Sequence, residues 1–230
     1  MLALHDVHAY YGESHILHGL SLVVESGEVA TLVGRNGVGK TTTLRAIMGI
    51  VPVPRGTIAL DGVSLVGMPS DRIAKSGVGY VPEERGILGS LTVLENLTLA
   101  PIVGPHGWPL DRIFDEFPVL KERAKAGGAT LSGGEQQMLA IARVLRSGAR
   151  LVLLDEPTEG LAPVIVERIG EVVRAMKADG ITVLLVEQNV RFATGVADRH
   201  HIVVHGQVVQ TMENQEVIAR ERELLDLLGV

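Results

Sequence analysis

The chain of 230 residues carries 21 Lys and Arg against 27 Asp and Glu, a net charge of −6, and contains no cysteine. This excludes disulfides, thiolate metal sites and thiol redox chemistry, and the acid excess leaves no global basic field for DNA, RNA or an anionic bilayer. No apolar stretch approaches the roughly 20 residues of a membrane-spanning helix, and residues 1–6 lack the cationic region of a secretion signal, so a reducing cytoplasm is expected and any membrane role is expected to run through a partner.

At this length the chain can bury a full core as one domain, alone or with a small lobe. In chain order, strands are expected at residues 2–11, 16–24 and 29–33, then at 56–60 and 63–65 about Asp61-Gly62, a strong hairpin signal. A short helix at 70–76 and a buried strand at 78–81 follow. From about residue 92 the texture changes. Helical pieces at 92–100 and 110–126 flank Pro101, Gly104-Pro105, Gly107 and Trp108-Pro109, and together they read as a small helical lobe. Beyond it the pattern predicts a helix at 132–146, a strand at 151–154, a helix at 163–178, a strand at 181–186, a strand carrying His200, His201 and His205, and terminal helices within 213–228. Ile165, Ile169, Val172, Val173 and Met176 fall on one face of the 163–178 helix. Apolar strands alternating with amphipathic helices make the fold α/β, a mostly parallel sheet covered on both sides, with an antiparallel β part from the early hairpins. Ligands of such sheets bind at the carboxyl ends of the strands.

Gly34-Arg35-Asn36-Gly37-Val38-Gly39-Lys40-Thr41-Thr42 follows an apolar strand and opens a helix, which is the context of a phosphate-binding loop. Its glycines let backbone N–H groups turn inward around a polyphosphate, and the helix N-terminus adds a favourable dipole. Lys40 supplies a point charge for the β- and γ-phosphates, and the Thr41 hydroxyl is placed for Mg²⁺. The strand at 151–154 ends in Asp155-Glu156-Pro157. In P-loop enzymes an acid here completes the Mg²⁺ site, so Asp155 is expected on the metal side and Glu156 facing the attacking water. Leu131-Ser132-Gly133-Gly134-Glu135-Gln136-Gln137 reads as a helix start with Ser132 and Glu135 in a capping box. Two glycines at a helix N-terminus also make a second anion site.

These motifs, in this order and over nearly the whole chain, resemble the ATP-binding subunit of an ABC transporter. The resemblance implies the P-loop NTPase fold of an ABC cassette, one ATPase domain over residues 1–230 with the helical lobe at about 92–147 inserted in the catalytic core. It implies ATP and Mg²⁺ as cofactors, and two cassettes packed head to tail so that Ser132, Gly133, Gly134 and Glu135 meet the ATP held by the partner. By the same resemblance Tyr11 stacks on adenine, with Tyr10 its close competitor, and the segment 158–163 crosses to the opposing cassette. Glu83 stands where most cassettes have a glutamine that reaches Mg²⁺ and the water; a carboxylate can ligate a metal but cannot donate a hydrogen bond at neutral pH. Gln188 stands where most have a histidine contacting the γ-phosphate, and an amide can donate there without carrying a proton.

The motifs around Glu83, Ser132 and Gln188 together are similar to the second ATPase of branched-chain amino acid importers and their urea-uptake relatives, with a lobe that looks shorter here, which bears on permease docking. The implied partners are integral membrane permeases, a sister ATPase or a second copy of the chain, and a periplasmic solute-binding protein, with no nucleic acid. The implied location is the inner face of the cell membrane. A second class is a soluble ABC ATPase serving a non-transport assembly complex; a third, an unrelated P-loop kinase or GTPase, gives no reason for Leu131 to Gln137. The short span from Lys40 to Ser132 leaves no room for the coiled coils of DNA-repair clamps. His200, His201 and His205 are not expected to form a metal site, since alternate strand residues face opposite ways and 201 and 205 lie about 13 Å apart. Trp108 is expected either to anchor a partner or to cover the lobe.

Overall fold

The computed structural model describes residues 1–105 and 107–220. Among the described residues the strands form two sheets. In the first, β1 (Leu2–Tyr11) is flanked by β2 (Ser14–Val24) and by β4 (Arg55–Leu60), and β5 (Val63–Ser64) completes an antiparallel order of β2-β1-β4-β5. Asp61 and Gly62 both have positive φ (49° and 79°), the pairing that a tight two-residue hairpin turn requires.

The second sheet runs β10-β9-β3-β8-β7-β6. Its members β3 (Val29–Val33), β6 (Val78–Val81), β7 (Leu151–Asp155), β8 (Thr182–Glu187) and β9 (Arg199–Val204) pair in parallel, and β10 (Gln207–Glu213) pairs antiparallel with β9. This is the mostly parallel sheet that the sequence predicts, and the antiparallel part expected from the early hairpins is the separate first sheet. Side chains alternate across it: Leu151 and Leu153 join the core shared with β1, β2 and α1 (Lys40–Ile47), whereas Val152 and Leu154 join the core beneath α6 (Gly133–Ser147) and α7 (Pro163–Ala178). With both faces covered, β3, β7 and β8 are buried throughout.

The helix α2 (Ser70–Lys75) precedes β6, and α3 (Val93–Leu99), α4 (Leu110–Glu116), α5 (Pro118–Glu122) and α6 follow it. The continuous helix expected over 110–126 is two short helices. Pro118 denies Phe117 the helical conformation, and Phe117 sits at φ −128° and ψ 71° with its ring buried. Trp108 covers the lobe rather than standing ready for a partner. It is 1% exposed, its indole N–H donates to Asp179 Oδ2 at 2.7 Å, and Arg112 lies 3.8 Å above its ring while pairing with the same carboxylate.

Three further points correct or extend the sequence expectations. His205 is not in a strand: β9 ends at Val204, and His205 and Gly206, with φ of 47° and 71°, make the turn to β10. The sequence pattern gave no place to α8 (Val190–Val196) or β10. Of the terminal helices expected within 213–228, α9 (Asn214–Ala219) is present and the part beyond residue 220 lies outside the described residues.

Candidate nucleotide site

The site begins where β3 ends. Gly34 lies so close to β9 that a Cβ on it would stand 2.5 Å from the Val203 carbonyl oxygen, and Gly39 caps α1 at φ 106°, a conformation that side chains resist. No side chain caps α1, so its first N–H groups are not consumed by a side-chain acceptor. Asn36, Gly37, Gly39, Lys40, Thr41 and Thr42 form one wall of a cavity of about 360 Å³. Lys40 is buried, and its ammonium donates to the carbonyls of Gly34 (2.8 Å) and Arg35 (3.0 Å) and lies 3.4 Å from Glu156 Oε1. A buried cation, open N–H groups and an uncapped helix start converge there, an arrangement suited to a polyphosphate.

The opposite wall is acidic, with Glu83, Glu156 and Glu159. Behind it Asp155, at the end of β7, accepts from the Thr41 hydroxyl at Oδ1 (2.9 Å) and from the Tyr80 hydroxyl at Oδ2 (3.0 Å). Burial pushes the Asp155 carboxyl above its ordinary range, and these two donors oppose the shift. Glu156 has a positive φ of 45°, donates its N–H to Val186 O, and accepts from Gln188 Nε2 at 2.6 Å. Glu159 is raised by burial, then by Glu156 and Glu83. The chain thus gathers Lys40, Thr41, Glu83, Asp155, Glu156 and Gln188, distant in sequence, at the carboxyl ends of adjacent parallel strands.

The donor set of the Thr41 hydroxyl and the Asp155 carboxylate suits Mg²⁺, a hard cation that takes one or two carboxylates and completes its shell with water and phosphate oxygens. Glu83 is exposed on the same cavity and offers a further oxygen.

Other expected site residues lie elsewhere. Ser132 caps α6 in a full capping box: its N–H donates to Glu135 Oε2 at 2.6 Å, and its Oγ accepts from Glu135 N at 3.3 Å. The hydrogen bond from the Ser132 backbone holds the Glu135 carboxyl below its usual range. No residue from 131 to 137 lines the cavity. Neither tyrosine of the pair lines it either; Tyr10 stacks on His15 with ring centroids 4.2 Å apart, Tyr11 is exposed, and Ile16 is the residue of β2 that reaches the cavity.

Glu187 is a residue that the sequence reading passed over. Buried at the end of β8 and raised by that burial, it accepts from the Thr158 hydroxyl (2.6 Å) and from the backbone N–H groups of Gln188 and Asn189, fastening the segment after Glu156 to the segment that carries Gln188. Its signal was a lone acid directly after the all-apolar run 183–186. Tyr80, which bonds Asp155 from the neighbouring strand, is a second such residue.

The family model described as ABC transporter matches residues 17–159. The chain belongs to the ABC transporter family. This cassette is 42% identical over 212 residues to the high-affinity branched-chain amino acid transport ATP-binding protein BraG of Pseudomonas aeruginosa, with 91% of each chain covered. It is 35% identical over 226 residues to a probable branched-chain amino acid transport ATP-binding protein, LivF of Archaeoglobus fulgidus, covering 96% of each. It is also 34% identical over 225 residues to the lipopolysaccharide export ATP-binding protein LptB of Haemophilus influenzae, covering 95% of this chain and 93% of the relative. Among solved structures, a nucleotide-free ABC transporter cassette aligns with a TM-score of 0.82 at 25% identity over 97% of this chain and 95% of its own. The dimeric cassette MJ0796 aligns with the same TM-score at 26% identity over 93% and 99%. The chain is an ATP-hydrolysing transporter cassette with the P-loop NTPase fold.

Proposed function

We propose that this cassette energises the import of branched-chain amino acids from the inner face of the cell membrane. The observation that carries the reading is the 42% identity to BraG across 91% of both chains. The cassette would dock on membrane permease subunits supplied with solute by a periplasmic binding protein, and would close on ATP with a sister cassette or a second copy of itself. Among the described residues no helix is long and apolar enough to cross a membrane.

In this reading residues 1–230 form one cassette domain with the lobe at about 92–147. Gly34 to Thr42 cradle the triphosphate, Lys40 exchanges its carbonyl and Glu156 contacts for phosphate oxygens, and Tyr11 stacks on adenine. Thr41, Asp155 and Glu83 hold Mg²⁺, which when bound neutralises charge on the β- and γ-phosphates. Glu156 orients and deprotonates the attacking water, and Gln188, already 2.6 Å from that carboxylate, positions it without taking a proton. Ser132, Gly133, Gly134 and Glu135 complete the site of the opposing cassette.

A second reading, lipopolysaccharide export, draws on the 34% identity to LptB. Purification with native membrane partners, followed by reconstitution in proteoliposomes with ATP inside, separates the two. ATP-dependent leucine uptake that disappears in Lys40→Ala is expected; no uptake, with ATPase activity stimulated by lipopolysaccharide, would replace import with export. Recovery with a soluble scaffold and no membrane protein would favour the assembly-complex class.

A further inference from the structure

We propose that Tyr80 is a positioning residue of the nucleotide site, whose hydroxyl holds Asp155 in the pose that presents Oδ1 beside Thr41. The inference rests on the assignment of Thr41 and Asp155 to the cation. Tyr80 lies on β6, opposite Leu153 of β7. Leu153 and Asp155 point to the same side of the sheet, so Asp155 is the diagonal neighbour of Tyr80, within reach of an aromatic side chain. The ring packs against the core beside α1 and lines the cleft between core and lobe, while the hydroxyl reaches Asp155 Oδ2 at 3.0 Å.

The direction of that bond is determined by its acceptor. A carboxylate oxygen only accepts, so the phenolic proton of Tyr80 goes to Asp155 Oδ2. Arg45, in the last turn of α1, pairs with Glu84 Oε1 at 3.4 Å and does not compete for the carboxylate. Asp155 is completely buried, with Oδ1 engaged by Thr41 and Oδ2 by Tyr80. The carboxylate torsion is intrinsically broad. Without the phenol, Oδ2 loses its donor, and the plane of the carboxylate is fixed by Thr41 alone, the group that would itself share the cation.

The test is Tyr80→Phe, which keeps the ring and removes one oxygen. Binding of mant-labelled ATP is titrated by fluorescence without divalent cation, and then as a function of Mg²⁺. Losing one hydrogen bond of typical net worth predicts a rise of about three- to tenfold in the Mg²⁺ concentration for half effect, with unchanged affinity in the absence of Mg²⁺ and a melting temperature lowered by about a few degrees. An unchanged Mg²⁺ dependence overturns the proposal, as does an equal loss of affinity with and without Mg²⁺, which would mark general loosening. Thr41→Ala is the companion arm. If it shifts the Mg²⁺ dependence and Tyr80→Phe does not, the tyrosine role alone fails; if neither does, the cation assignment fails as well.

Discussion

Two helices of this cassette begin in glycine-rich sequence, and their starts are built in opposite ways. At α1 the cap is Gly39, with no side-chain acceptor and no acid in the first turn, and Lys40 adds a buried cation. At α6 the cap is Ser132, and Glu135 returns to bond its backbone, so the helix start already holds its own carboxylate. An uncapped start can give its N–H groups and dipole to an external anion, whereas a start neutralised from within has little to offer a free phosphate. The lesson is that glycine at a helix start does not by itself make a nucleotide site; what matters is whether the chain leaves the end open. The isolated cassette should therefore hold its nucleotide at α1, and α6 should matter only when another subunit brings a phosphate to it.

The sharpest way to break this contrast is Lys40→Ala, which leaves an anion site without its cation and should abolish measurable ATP binding; unchanged binding and turnover in the folded variant would remove α1 as the site. Next in size is Glu156→Gln. Loss of general-base action costs about 10²–10⁴ in rate, while the acidic wall loses one charge, so the variant should bind ATP, hydrolyse it very slowly and accumulate a closed dimer seen by size-exclusion chromatography, alone or with a sister subunit. A monomer in every mixture with hydrolysis intact would end both the base assignment and any role for α6 across an interface.

Ser132→Ala acts on the other helix. It should lower stability by about 1 kcal/mol, read by denaturant unfolding, and leave ATP binding to the isolated chain unaltered; weakened binding there would mean that the two starts are not independent. The smallest effect concerns pH. Because the folded-state pKa of Glu135 is depressed below its ordinary value of 4.5, its contribution to stability is present above that value and is lost as pH falls through the folded pKa. The difference in melting temperature between the native chain and Glu135→Gln should therefore shrink in acid, and a constant difference would show that the carboxylate charge adds nothing to the cap.

Much of this architecture was legible in the sequence because local and global signals coincide. Val29–Val33 and Pro163–Ala178 have the predicted boundaries: the first is a short apolar run before a glycine loop, and the second has Pro at its first turn and a single buried face. The glycine loop at 34–42 and the Asp155-Glu156 pair stood out as candidate site residues because each pattern is carried by consecutive residues. What escaped depends on partners far apart in sequence. Tyr80 touches Asp155 across two strands, and Glu187 bonds Thr158; neither pairing has a local pattern. The β10 strand was unmarked because, at an edge of its sheet, it is mostly exposed and mixes Gln207, Gln210 and Thr211 with its apolar residues. The break at Phe117 was written in Pro118, but the apolar spacing on either side outweighed it.

Trp108 is the single tryptophan of the chain, and its indole spans the seam between lobe and core, bonded to Asp179 at the end of α7. The molecule therefore carries its own optical label. Tryptophan emission from the unmodified protein comes from this one indole, which is in contact with a guanidinium and a carboxylate. Any turn of the Trp108 segment relative to α7 would change that surrounding and hence the emission, so such a movement would be readable without attaching a dye.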